Sequence, residues 1–554
     1  MKKIILALLL LYTTIYAISI QDVNIHLQTS LQTKLKGKNA PIIKEIYKSF
    51  DNQPIWVGDS AKMSSLIQAL KNTRYNYKNK AFDQKAIKKL LYYLDNNTIS
   101  DTKKAMVYAR LDLLLTNSYI RLLRFIVQGD VDWDLVQQKL KALEESDDIK
   151  AVWEMRKKPF LSTKEIISSI NRQNINGYLD SLLPMKKRYL SLVELLNEYR
   201  RMDKFPKIAY TNKVLKLGDR DSRISSIKRR LQITGDYPKG IKLNNTFDKA
   251  LQKATITYQK RYLLKVTGSI DKTMTYYLNQ PAKKNIQSII TNLDKTKLYP
   301  QKFENEYIEV NIPDFNLRYY KTNNLFAKMG VVVGRIDRPT PLFENSIKYM
   351  VLNPTWTIPD NLIKRDLIHV FRDNPNYLAE HNIHVFEGKK EIDITPDMVT
   401  EYEHSDKKVP FRFVQFPGDD NALGRIKFMF PNKYAVYLHD TDNKNLLNRR
   451  YKIYSSGCMR VDKPFELLNT LLPYAKKNYN RIEIDNIIAT NKPHIIKLNR
   501  YIPIHIVYFT VYKEDGLAYF KNDIYMYDKI IQESIIGRSK PTFKMPKNRF
   551  IISN

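Results

Sequence analysis

Between residue 20 and about residue 205 apolar positions recur at helical spacing. Met106, Leu111, Leu113, Leu114, Tyr119, Leu122 and Leu123 form one stripe, closed by Gly129-Asp130, and Leu190, Val193, Leu195 and Leu196 form another. Trp56, Trp133 and Trp153 read as core anchors of this part, since large rings contribute most when buried. From Lys207 to Pro281 short helical stretches alternate with Gly-Asp turns. From Tyr307 the texture turns strand-like, in Tyr307-Ile308-Glu309-Val310-Asn311-Ile312 and again in Lys328 to Gly334. The pattern predicts a multidomain α+β chain: helices over 18–205, a small helical module over 206–281, and a β-rich domain over 282–554.

The first residues change the compartment expected. Lys2 and Lys3 precede an apolar core from Ile4 to Ile15, and Ala17 offers a small residue for cleavage, so residues 1–17 read as an export signal too short to span a bilayer comfortably. Left uncleaved, it would act as a signal anchor at the membrane. No later run of about 18 apolar residues suggests a second anchor. The remaining chain of about 537 residues exceeds one ordinary core and suggests about three domains. The formal charge of the full 554-residue sequence is +35, from 92 Lys+Arg against 57 Asp+Glu. Such a charge favours an anionic partner, and export argues against nucleic acid. A carboxylate-bearing wall polymer or a membrane surface fits better, although a charge spread along the chain also fits a merely Lys-rich composition.

Candidate chemistry centres on the one cysteine, Cys458, in Tyr454-Ser455-Ser456-Gly457-Cys458-Met459-Arg460. It has no disulfide partner in the chain and is a candidate nucleophile. His439 ends the alternating stretch Tyr434-Ala435-Val436-Tyr437-Leu438-His439, which places an imidazole at a strand rim, able to approach the thiol as general base and acid. A free thiol is mostly protonated at neutral pH, so the imidazole must take its proton or hold the thiolate as an ion pair. Gly457 permits a tight turn, and the N–H groups of Gly457 and Cys458 can face an oxyanion. Asp462 before Lys463-Pro464 reads as a helix cap, whose positive end would lower the thiol pKa. Arg460 can fork onto a substrate carboxylate or hold its own loop through carbonyls. Trp356 and Tyr437 are candidates for the pocket wall, with core packing the plainer role. His381 and His384, with Glu380 and His404 nearby, lack a clear further ligand for a metal site.

Two resemblances follow from ordered motifs. Leu215-Lys216-Leu217-Gly218-Asp219, Phe247-Asp248 and Gly268-Ser269-Ile270-Asp271 resemble the three-helix peptidoglycan-binding domain family, with a pure spacer as the alternative. The series Val331 to Phe343, Asn353 to Pro359, Gln415 to Gly424, His439-Asp440-Thr441 and Ser455 to Arg460 resembles the YkuD-type L,D-transpeptidases, and within them the large YcbB-like murein enzymes.

That resemblance implies Cys458 as nucleophile, His439 as base and the Asp440 backbone carbonyl as orienter of His439, and it leaves Ser456, Arg460, Trp356 and Tyr437 as the candidate substrate contacts. It also implies a cap at about 360–410 over the site, no cofactor and no metal. The implied reaction forms 3-3 cross-links in the periplasm through a thioester, with release of D-Ala from tetrapeptide stems trimmed beforehand by D,D-carboxypeptidases. An L,D-carboxypeptidase using water, or a silent wall-binding scaffold, stays open as an alternative.

Overall fold

The structure is a computed structural model that describes residues 19–536 except 34, 96–99, 148, 173 and 203. The expected export signal lies outside the described residues. Among those residues no helix is long and apolar enough to cross a membrane.

The helical part is organised around Asp101–Val127, whose Leu111, Leu115, Tyr119, Leu122 and Ile126 are fully buried. Met106, expected in that stripe, is instead exposed, because the buried face runs through Ala105, Tyr108 and Asp112. Asp112 is buried and accepts the N–H groups of Ile55, Trp56 and Val57 at 2.8–3.0 Å, while the Trp56 indole donates to Thr116 at 2.9 Å. A buried carboxylate with this many donors holds the 55–57 turn against the helix. Helices Arg223–Ile233, Lys249–Arg261 and Lys272–Leu278 follow, and their Ile227, Leu251 and Leu278 join the same apolar core as Leu192 and Leu196.

One stretch of the helical part packs elsewhere. Trp133, Val136, Leu140, Leu143 and Trp153 are buried in the core of the β-domain, with Trp153 stacked on Tyr527 at 5.7 Å. Periodicity reveals an amphipathic face but not the partner that covers it.

Among the described residues fifteen strands follow in chain order: β1 Tyr307–Asn311, β2 Asn316–Lys321, β3 Asn324–Gly334, β4 Glu344–Leu352, β5 Trp356–Thr357, β6 Ile383–Glu387, β7 Lys390–Glu391, β8 Arg412–Gln415, β9 Ile426–Met429, β10 Leu438–His439, β11 Ile453–Ser455, β12 Met459–Val461, β13 His494–Val507, β14 Val511–Glu514 and β15 Leu517–Phe520. The main sheet runs β11-β3-β12-β10-β9-β4-β13-β1-β2, and β2 also pairs with β3, so eight strands close on themselves. Val331, Ile347, Phe428, Leu438, Met459 and Ile504 fill the interior. Strands β5 to β8 form a separate small sheet, and the segment from Ile358 to Phe413 has its own core, including Ile363, Phe371, Val385 and Phe413.

Candidate active site

Strands β10 and β12 run parallel and pair Leu438 with Met459 and His439 with Arg460. Side chains alternate along a strand, so Leu438 and Met459 point into the barrel, where both are fully buried. Burial of two such side chains stabilises this pairing by roughly 1.5–3 kcal/mol each. The opposite face therefore carries His439 and Arg460 and, two residues earlier on each strand, Tyr437 and Cys458. The ladder extends that far, since the Met459 N–H donates to the Tyr437 carbonyl at 3.1 Å. Cys458 and His439 are thus diagonal neighbours on one face. On the other side β9 pairs Lys427 with His439, which sets a cation on each flank of the imidazole.

The cysteine loop is braced from below. Gly457 has φ +116°, which a residue with a Cβ rarely adopts. Its carbonyl accepts from Thr340 Oγ1 at 2.9 Å, and that hydroxyl in turn accepts the Gly334 N–H at 2.9 Å. A Cβ on Gly334 would lie 2.2 Å from the Arg338 carbonyl, so only glycine lets these segments approach. The Gly457 N–H donates to Ser455 Oγ at 3.3 Å, whereas the Cys458 N–H makes no hydrogen bond among the described residues. Of the two candidate oxyanion donors, the Cys458 N–H is the one left open.

The surroundings favour neutral forms of both groups. Burial pushes the Cys458 thiol up to about 11, against the N–H and hydroxyl of Tyr437 and the charges of Arg460 and Lys427, which pull it down. Burial, then the Arg460 charge, pushes His439 down to about 3, with Lys427 and Lys444 acting the same way and the Asp440 backbone carbonyl opposing. That carbonyl acts on the ring, although no hydrogen bond of ordinary length and angle reaches His439 Nδ1. No hydrogen bond joins the thiol to the imidazole among the described residues. Both shifts favour a neutral thiol beside a neutral imidazole over a thiolate–imidazolium pair.

The helix after the cysteine is capped differently from expectation. The helix Pro464–Leu471 starts after β12, with Lys463 and not Asp462 in the cap position and no side-chain cap. The dipole effect is confined to the first turn of a helix. Strand β12 lies between that turn and the thiol, whose pKa rises.

The other expected contacts fall in three groups. Tyr437 is half-buried, with its hydroxyl interacting with both the Cys458 thiol and the Trp356 side chain, and its ring 5.6 Å from that of His439. Trp356 also packs on the core of the 358–413 segment, so it links that segment to the cysteine. Arg460 donates to Thr441 Oγ1 at 3.3 Å, its Nε has no partner, and it forms no ion pair among the described residues. Ser456 is exposed, but its hydroxyl accepts from Arg338 at 3.1 Å, and Arg338 is ion-paired to Asp366 of the 358–413 segment. Asp440 contributes more than its carbonyl: its buried carboxylate takes the Arg425 N–H at 2.9 Å and an ion pair with Lys444, fixing the turn after His439. His384 is engaged within the small sheet by Glu391 and by Asn382 at 3.0 Å.

Lys427 and Arg338 escaped the sequence reading. Lys427 stands between Ile426 and Phe428, and alternation alone marks it as outward-facing, but only the β9–β10 pairing puts it beside His439. Its ammonium donates to the Thr355 carbonyl at 3.2 Å and lies 5.8 Å from the Tyr437 ring centroid. Burial lowers its pKa. Like Arg460, it forms no ion pair among the described residues.

A cysteine and an imidazole on one strand face, beside an open backbone N–H, define an acyl-transfer type of site. Residues 305–484 match the model of the L,D-transpeptidase catalytic domain, YkuD, and residues 41–196 match the model of a scaffold domain. The region 305–484, which holds Cys458 and His439, is thus similar to the YkuD L,D-transpeptidase catalytic domain. A curated protein of Haemophilus influenzae named "Putative L,D-transpeptidase" is 34% identical over 245 residues, covering 44% of this chain and 49% of the relative. The chain thus spans about half the length of the curated relative it matches. Among solved structures, an L,D-transpeptidase of Xylanimonas cellulosilytica aligns with 54% of this chain and all of its own, at 10% identity and TM-score 0.19. One of Stackebrandtia nassauensis aligns with 56% of this chain and 99% of its own, at 12% identity and TM-score 0.19. Likenesses this distant carry no argument by themselves.

Proposed function

We propose that the protein is a peptidoglycan L,D-transpeptidase that forms 3-3 cross-links. The observation that carries this reading is the shared face of β10 and β12, where Cys458 lies diagonal to His439 and the imidazole is flanked by Lys427 and Arg460, neither of which forms an ion pair among the described residues. The Cys458 sulfur adds to the carbonyl carbon of the third residue of a tetrapeptide stem as its proton passes to His439. The oxyanion takes the Cys458 N–H. His439 then returns the proton to the nitrogen of the terminal D-Ala, the C–N bond breaks, and a thioester remains. A side-chain amine of a second stem attacks the thioester, the new amide forms, and Cys458 regains a proton. Lys427 and Arg460 receive the stem carboxylates, where desolvated charge-assisted bonds are strongest.

On this reading the 1–17 segment directs the chain to the periplasm, D,D-carboxypeptidases supply the tetrapeptides, and the 206–281 module and the 358–413 segment bind and cover the wall substrate. Incubation of the purified enzyme with disaccharide-tetrapeptides, followed by mass analysis, tests it. The expected product is a dimer joined between third residues, with one D-Ala released per bond. Trimmed monomers alone would assign an L,D-carboxypeptidase, and binding with no D-Ala release would assign a silent scaffold.

A further inference from the structure

A second cavity, of about 640 Å³, opens where the helix Lys186–Arg201 meets the outer face of β1 and β2. It shares no residue with the cysteine site. Ligand pockets occupy this size range and favour junctions between domains. The chain builds it deliberately: the N–H groups of Met185 and Lys186 donate to the carbonyls of Pro300 and Gln301, both at 2.8 Å, which brings Lys186, Lys187 and Lys302 to one rim.

The rim is electropositive. Lys186, Lys187, Arg188, Lys302, Arg318 and Lys513 line the cavity with the carboxylates Glu309 and Glu514, while Arg318 also pairs with Asp314 and Lys513 with Glu194 and Glu198, which lie outside the lining. Both lining carboxylates are already engaged, Glu309 by Arg188 at 2.8 Å and Glu514 by Lys328 at 2.7 Å and Arg318 at 3.3 Å. Lys186, Lys187 and Lys302 have no ion-pair partner among the described residues, and Arg188 Nη1 is buried without a hydrogen bond. The wall is aromatic: Tyr307 stacks on Tyr320 at 4.8 Å, and Phe303 meets Tyr307 edge-on at 5.1 Å. Flat rings bind sugar faces and apolar peptide parts, while a guanidinium and free ammonium groups bind carboxylates.

We infer that this cavity is a second binding site for the disaccharide-peptide unit of the wall, holding a strand that is not the acyl donor. The inference rests on the proposed wall substrate. It is tested by calorimetric titration of full-length Cys458→Ala protein, which cannot consume ligand, with purified disaccharide-tetrapeptide. Two sites are expected. In the same background Lys186→Glu/Lys187→Glu/Lys302→Glu weakens one of them by at least about tenfold, as loss of charge-assisted bonds requires. The same triple change with Cys458 intact leaves D-Ala release from soluble tetrapeptide unchanged. A single site in both proteins, with D-Ala release intact, overturns the cavity assignment and leaves the proposed function standing. Absence of D-Ala release by the unmodified enzyme sinks the proposed function, and this inference with it.

Discussion

At the seam between the helical part and the barrel, Lys78 lies 2.5 Å from Asp130 and 2.8 Å from Asp294, Lys295 lies 2.6 Å from Asp528, and Arg318 lies 2.6 Å from Asp314. On the cysteine face Lys427 and Arg460 stand in a row with His439 and form no ion pair among the described residues, although the Asp442 charge acts on Arg460. A buried cation taken from water is costly unless an anion replaces the lost hydration. The seam supplies that anion from the protein itself and gains rigidity. The cysteine face leaves it to be supplied from outside, which is what a site for carboxylate-rich stems requires.

The contrast is broken most sharply at the base. His439→Gln removes the proton acceptor and should lower the acylation rate by about 10²–10⁴-fold. The pH profile sharpens this: with the imidazole pushed down to about 3 and the thiol up to about 11, the neutral reactive pair persists between those limits. kcat/KM for the free enzyme should therefore be flat from about pH 5 to about pH 9. An acid limb near the ordinary histidine value of about 6.5 would instead show that His439 is not pushed down in the free enzyme.

On the other side of the comparison, Lys295→Met strands Asp528 in a buried seam and should cost about 3–5 kcal/mol in chemical denaturation. KM should not move. Lys427→Met should do the reverse, raising KM for the tetrapeptide by roughly tenfold or more while stability holds or rises. If Lys427→Met is destabilising and leaves KM alone, the two regions are not different in kind.

How much of this was legible in the chain follows from how local each feature is. Cys458, His439 and their order were readable because each motif is a few residues long. The β-rich domain announced itself by its run of β-branched residues. Lys427 was not readable, because its neighbour is chosen by the pairing of β9 with β10. Nor was the allegiance of Trp133 to Trp153, which depends on a face presented by strands that come far later. Asp462 looked like a helix cap because the local pattern fits, but β12 takes up residues 459–461 and the helix begins from Lys463. Ser456 reads as a substrate contact, and only the fold shows that Arg338, 118 residues earlier, donates to its hydroxyl.

The smallest effect expected is at that contact. Asp366→Asn loosens the exposed link from the 358–413 segment through Arg338 to Ser456, and exposed ion pairs contribute at most about 1 kcal/mol. A change in kcat/KM of no more than about fivefold should result, with thiol alkylation by a small reagent slightly faster.

The most direct test of the whole account is intact-mass analysis of the enzyme trapped during turnover of disaccharide-tetrapeptide. The account predicts one adduct, equal to the donor minus D-Ala, on Cys458, and neither adduct nor D-Ala release after Cys458→Ala. An adduct on another residue, or D-Ala release at an undiminished rate from the Cys458→Ala protein, would contradict it.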